Sequence, residues 1–167
     1  MHTVLHLATS SDGFIARPDG DSDWVSPVDG QLFEQRAKEA GCAVIGKRTF
    51  EQYYGTVYPI PNALNIVLTS DTQVSEVKGS MVAHSPAEAV ALAEQNGYQH
   101  MLIAGGARTS KAFLDEGLVN EIFLSVHPIK LGEGMKAFDD LSKNSKYKLV
   151  ETKSLNDGIK EEHYVML

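Results

Sequence analysis

Five short apolar runs constrain this chain more than any other feature. Thr3 to Ala8, Ala43 to Ile45, Leu64 to Leu68, Met81 to Ala83 and Met101 to Ala104 are aliphatic or β-branched, bounded by polar punctuation, and too short for helices. They read as buried strands. Ser26-Pro27 opens a helix that runs to about Ala40 and stops at Gly41; Ser85-Pro86 caps a second, Ala87 to Gln95, stopped at Gly97; a third covers Arg108 to Glu116 before Gly117. Strands that alternate with helices make a largely parallel sheet with helices on its faces.

The last third changes rhythm. Glu121 to Val126 is a strand, and Tyr147 to Leu155 and Ile159 to Met166 flank Asn156-Asp157-Gly158, where Asp-Gly accepts the positive φ angles of a tight reversal. One closing strand must therefore run antiparallel to its neighbour. No repeat, low-complexity tract or linker interrupts residues 1–167, which predicts one α/β domain.

The charge balance, 15 Lys and Arg against 22 Asp and Glu, weakens any nucleic-acid reading, because the cations are scattered and no basic run carries stacking aromatics. The N-terminus lacks the basic lead and apolar run of a secretory signal, and no apolar stretch approaches the ~18 residues of a membrane span, so a cytoplasmic protein is expected. The single cysteine, Cys42, excludes an intramolecular disulfide and reads as a small buried hydrophobe.

Open α/β sheets bind ligands at the carboxyl ends of their parallel strands. Four segments fall there. Ala104-Gly105-Gly106-Ala107-Arg108-Thr109 runs from strand through paired glycines into a helix, where backbone can approach a pyrophosphate and free N–H groups favour anionic oxygens. Ile45-Gly46-Lys47-Arg48-Thr49-Phe50 repeats the strand-to-helix pattern with two cations in the first turn, an arrangement that opposes the helix dipole unless an anion sits there. Thr69 and Ser70 end a third strand with hydroxyls suited to a sugar or its 2′-phosphate. The fourth is the long loop from Ser10 to Trp24, which holds Asp12, Gly13, Asp21, Asp23 and the only tryptophan, a composition common in substrate-covering loops.

Two other patterns carry less. Gly132-Glu133-Gly134-Met135-Lys136-Ala137 fits G-x-G-x-x-A, but too little chain follows it for a βαβ unit. The six histidines, His6 and His127 among them, show no metal-ligand spacing.

Taken in order, Ser10-x-Asp12-Gly13 with Ala16, Gly20-Asp21-x-x-Trp24, Gly46-Lys47-Arg48-Thr49-Phe50, Leu68-Thr69-Ser70, Gly105-Gly106, Leu118-Val119-Asn120-Glu121 through Pro128, and Leu131-Gly132-x-Gly134 to Phe138 resemble the dihydrofolate-reductase-like superfamily. The nearest branch is the stand-alone relatives of the reductase domain of the bifunctional riboflavin-biosynthesis deaminase-reductase. The resemblance implies a three-layer dihydrofolate-reductase-like fold, NADPH across the strand ends, a small heterocyclic substrate and a homodimer. It implies that Gly46, Lys47, Arg48 and Thr49, with Thr69 and Ser70, hold one flank of the cofactor. Gly105, Gly106, Ala107, Arg108 and Thr109 would hold the other, with Ala8 and Ile15 facing the nicotinamide. Asp29 stands where dihydrofolate reductases carry the pterin-binding carboxylate. Asp29 and Asp12 are thus the candidate catalytic acids, and Trp24, Asp23 and Gly13 the candidate substrate contacts; no metal is implied. Asp12, before a glycine, also suits a loop-shaping turn, whereas a buried Asp29 is expected to carry a raised pKa.

The riboflavin reductases carry an Asp-Asn-Pro segment where this chain has Tyr53-Tyr54-Gly55-Thr56-Val57-Tyr58-Pro59-Ile60-Pro61. The reading is therefore a reductase most like the 5-amino-6-(5-phosphoribosylamino)uracil reductase, with dihydrofolate reductase and a non-catalytic nucleotide-binding relative as alternatives.

Overall fold

Side-chain alternation along the first strand shows how the sheet is covered. In the computed structural model, which describes residues 1–167, β1 (His2–Thr9) sends Leu5 and Leu7 to one face and Val4 and His6 to the other. The next strands, β2 (Cys42–Gly46) and β3 (Leu64–Leu68), and the later β6 (His100–Ile103), bury residues on both faces, as parallel strands between helical layers must. Helices α1 (Pro27–Ala40) and α2 (Lys47–Gln52) cover one face through Ala37 and Phe50, which meet Ile45, Val67 and Leu102. Helices α3 (Pro86–Gln95) and α4 (Ala107–Asp115) cover the other through Ala89, Ala93 and Phe113, against Leu5, Val44 and Ile103. Phe50 and Phe113 are fully buried, and each contributes roughly 1.5–3 kcal/mol by leaving water.

The remaining strands are β4 (Glu76–Val77), β5 (Ser80–Ala83), β7 (Glu121–Val126), β8 (Tyr147–Ser154) and β9 (Lys160–Met166). The nine strands lie in the order β4-β5-β3-β2-β6-β1-β7-β9-β8. From β5 to β7 all neighbours are parallel, and β9 runs antiparallel to both β7 and β8. The turn before β9 takes positive φ at Asp157 (61°) and Gly158 (72°), the geometry the Asp-Gly pair predicts. A mostly parallel α/β sheet with an antiparallel closing strand is thus observed as well as predicted. The edge strand β4 was not legible, because two residues carry no period.

Helix boundaries follow their capping residues. Ser26 Oγ accepts from Val28 N, and Gly41, at φ 70°, closes α1 with its N–H on the Ala37 carbonyl. Ser85 Oγ accepts from Glu88 N at the start of α3. Cys42 is fully buried and burial pushes its thiol up to about 12, so it is inert packing. No helix is long and apolar enough to cross a membrane, and no group of three or more His, Cys, Asp or Glu residues is placed to hold a metal ion.

Candidate active site

Because β3, β2, β6 and β1 are adjacent and parallel, their carboxyl ends bring the separate sequence candidates to one edge. Gly46 N donates to Gly105 O at 2.8 Å, which knits the two glycine turns together. A Cβ on Gly46 would stand 2.6 Å from Thr109 Oγ1, and one on Gly106 2.8 Å from Thr49 Oγ1, so both positions need glycine for close approach. The helices that leave these turns, α2 and α4, begin at Gly46 and Gly106 with no side-chain cap, whereas α1 and α3 are capped by serines. Their first N–H groups are therefore available to an external acceptor.

A two-lobed cleft opens here, with cavities of about 370 and 460 Å³. The larger lobe is lined by Gly46 to Thr49, Thr69, Ser70 and Gly106 to Thr109, which gathers ten of the expected cofactor residues. Ala8, Ile15 and Gly105 line the other lobe, and Arg48, Thr49, Gly106, Ala107 and Met135 line both, so the lobes are continuous. Lys47 is paired with Glu51 at 3.0 Å, while Arg48 reaches only a backbone carbonyl, that of Asp19 at 3.3 Å. Arg48 and Arg108, which also lines this lobe and has no side-chain partner, are thus the arginines with charge available to a ligand.

The smaller lobe has an apolar wall that includes Phe33, Val57 and Tyr58, and a floor made by His6 and Asp29. His6 Nε2 lies 3.0 Å from Asp29 Oδ1, and both side chains are almost fully buried. Burial is the largest influence and pushes the Asp29 carboxyl up, but the hydrogen bond from His6 and the other polar groups around it together hold it below the usual carboxylate range. The raised pKa expected from burial alone is corrected, because β1 sets a histidine against α1 and no local pattern announces that pairing. Arg36 Nη1 lies 2.7 Å from His6 Nδ1 and, with Nη2, grips both oxygens of Glu161 at 2.9 Å.

The other expected site residues fall outside the cleft. Asp12 accepts from Ser10 Oγ at 2.6 Å, Leu131 N at 3.1 Å and Gly132 N at 2.8 Å, and these bonds bring its carboxyl down to about 2. It clamps the loop after β1 to the loop after β7, and its position does not support a catalytic acid. Gly13, at φ 89°, makes the tight turn inside that loop. Asp23 is exposed and bonded to Arg17 at 2.7 Å. Trp24 packs edge-on against His127, with ring centroids 5.2 Å apart, rather than lining the cleft. Gly13, Asp23 and Trp24 therefore stand outside the lining of the cleft. Sequence reasoning missed His6, Arg36, Glu161 and Met135. Met135 arrives because its loop pairs with Ala16, where a Cβ on Gly134 would collide with the Ala16 carbonyl oxygen. That close approach, not nucleotide binding, explains the G-x-G-x-x-A match.

The same fold occurs in a protein from Shewanella sp. PV-4 assigned to riboflavin biosynthesis, with a TM-score of 0.80 at 22% identity over 100% of this chain and 99% of that one. It also occurs in the diaminohydroxyphosphoribosylaminopyrimidine deaminase/5-amino-6-(5-phosphoribosylamino)uracil reductase of Thermotoga maritima, with a TM-score of 0.77 at 18% identity over 99% of this chain and 56% of that one. In sequence, residues 2–160 match the RibD C-terminal domain, and the chain belongs to that riboflavin-biosynthesis-reductase-like family. It is 28% identical over 169 residues to the uncharacterized protein YwjB of Bacillus subtilis (strain 168), covering 98% of this chain and 97% of YwjB. It is 29% identical over 159 residues to the riboflavin biosynthesis protein RibD of Mycobacterium tuberculosis (strain ATCC 25618 / H37Rv), covering 84% of this chain but 46% of RibD. The chain thus aligns with about half the length of RibD.

Proposed function

We propose that this protein is an NADPH-dependent reductase of a small heterocycle, most like the 5-amino-6-(5-phosphoribosylamino)uracil reductase of riboflavin biosynthesis. One observation carries the reading: a cleft lobe built from glycine turns and two uncapped helix starts opens directly into a lobe floored by a buried carboxylate. The residues present fit a dinucleotide. Gly46 and Gly106 leave cradles that a Cβ would fill, and the N–H groups of Lys47 to Thr49 and Ala107 to Thr109 would meet its phosphates. Arg48, with Thr69 and Ser70 across the same lobe, would hold a 2′-phosphate. Ala8 and Ile15 would flank the nicotinamide, which supplies a hydride to an electrophilic carbon when bound.

The chain's own part is orientation. Asp29 is held ionised, so it accepts hydrogen bonds from the N–H edge of a heterocycle and sets the ring in place. It does not supply the proton. Phe33, Val57 and Tyr58 exclude water from one side of the ring. A carboxylate facing the cleft from α1 also favours dihydrofolate as the second substrate to try. A homodimer, as the resemblance implies, is part of the same proposal and is read out by light scattering.

The test is NADPH oxidation by purified protein against a panel that holds 5-amino-6-(5-phosphoribosylamino)uracil and dihydrofolate, with NADPH and NADH binding measured beside it. Turnover of the first supports the proposal, and turnover of dihydrofolate alone replaces it with the dihydrofolate reductase reading. NADPH binding without turnover on the whole panel leaves a non-catalytic nucleotide-binding relative, and failure to bind NADPH overturns the proposal.

A further inference from the structure

The buried ionic chain behind Asp29 fixes where each proton sits. A guanidinium can only donate, so His6 Nδ1, 2.7 Å from Arg36 Nη1, must present a lone pair. The single ring proton is then on Nε2, aimed at Asp29 Oδ1 3.0 Å away. A doubly protonated ring would set N–H against N–H at the Arg36 contact. Arg36 is held in turn: Glu161 on β9 accepts from both of its terminal nitrogens, and the Phe123 ring lies 3.7 Å from its central carbon. All four polar members, Asp29, His6, Arg36 and Glu161, are largely buried, with side-chain exposures from 2% to 15%.

The groups that face His6 are Asp29 and Arg36 from α1, with Phe33 edge-on and ring centroids 5.7 Å apart. Glu161 from β9 acts through Arg36. On the far side of Asp29, from the β7 end, stands His127. His127 is itself spoken for, since its Nε2 accepts from Ser26 N at 3.1 Å and its Nδ1 therefore donates to Ser125 O at 3.0 Å. With both histidines neutral, the chain holds two carboxylates and one guanidinium, and the unmatched negative charge lies on the cleft side.

We propose that Arg36, held by Glu161, is a positioning residue that locks His6 as the neutral Nε2–H tautomer, so that His6 donates to Asp29 and leaves this carboxylate a fixed hydrogen-bond acceptor in the cleft. The proposal rests on the reading that Asp29 meets the substrate. Its consequence is that His6 faces Asp29 only as a donor while Arg36 occupies Nδ1, and the carboxylate keeps its acceptor character toward the cleft.

The test is long-range ¹H–¹⁵N correlation of the ¹⁵N-labelled protein without added cofactor or substrate. His6 is expected to show a pyridine-like Nδ1 and a pyrrole-like Nε2 at pH 7.5; an Nδ1–H ring, neutral or doubly protonated, overturns the proposal. Arg36→Met alone strands Glu161 without its partner, so the double variant Arg36→Met/Glu161→Gln removes both charges, and Glu161→Gln alone is the milder companion. In the double variant, with no donor left at Nδ1, His6 should lose the wild-type single-tautomer pattern at pH 7.5, and kcat/KM for NADPH oxidation should fall with NADPH affinity unchanged. A double variant whose His6 keeps the wild-type spectrum removes Arg36 from the role. If the double variant does not fold, Glu161→Gln carries the same readout, with a smaller shift of His6 in the same direction expected and none overturning the part given to Glu161. Since the wild-type spectrum is read without NADPH, a wrong tautomer and a failure of the reductase reading are separate results.

Discussion

Gly46 and Gly105 share a 2.8 Å backbone hydrogen bond, so the turns that end β2 and β6 move as one piece. A ligand that touches either turn therefore meets both, and crowding at one is felt at the other.

Gly106→Val tests this coupling. Its Cβ lands 2.8 Å from Thr49 Oγ1, which presses apart the two helix starts offered to the cofactor phosphates, while the two apolar cores lie elsewhere. Near-native circular dichroism with NADPH binding abolished is the expected outcome. A folded variant that binds NADPH normally removes the cofactor from this cradle.

Arg48→Ala addresses the choice between NADPH and NADH. Lys47 is already paired with Glu51, whereas Arg48 is bonded only to a backbone carbonyl and has charge to give a 2′-phosphate. One charge-assisted bond is worth ~1.5–3 kcal/mol, so NADPH should bind roughly 10- to 150-fold more weakly while NADH is nearly unchanged. Equal loss for both cofactors, measured by titration calorimetry, would move Arg48 to the pyrophosphate.

For Asp29→Asn, the expected loss is at least ~10-fold in turnover with NADPH affinity preserved, because the residue sits in the lobe away from the phosphate cradle. Asparagine keeps the shape and an acceptor oxygen toward His6 but loses the charge. Unchanged turnover on a proven substrate would take Asp29 out of the reaction.

Asp12→Asn should alter stability, not chemistry. Its folded-state pKa, about 2, lies below the ordinary ~3.9 of an unfolded aspartate, so its contribution is fully present above the unfolded value and fades as pH falls toward the folded one. Denaturant curves should show wild type more stable than the variant by a constant margin above roughly pH 5, with the margin closing toward pH 2. A margin that persists unchanged at pH 2 would mean that the carboxylate charge is not what clamps the two loops.

The parts of the site that were legible in the sequence are those made by backbone. Gly46 and Gly105-Gly106 stand at strand-to-helix junctions, and that position alone says that main chain approaches something closely. The sheet was legible for the same reason, since apolar period and helix punctuation are local. His6, Arg36 and Glu161 were not, because 125 residues separate Arg36 from Glu161 and only the register of β1, β7 and β9 brings them together. Nor was the placement of Trp24 legible: its long polar loop says nothing of the packing against His127 that the fold gives it.

The two lobes are made of different material, and this bears on how such a protein can change. The phosphate cradle is lined largely by main-chain groups, which survive most substitutions provided a few glycines remain. The smaller lobe is walled by side chains from β1, from α1 and from Tyr53, Val57 and Tyr58, a different set from the glycine turns. A chain of this design can change what its smaller lobe accepts by exchanging a handful of wall residues while the glycine cradle is kept.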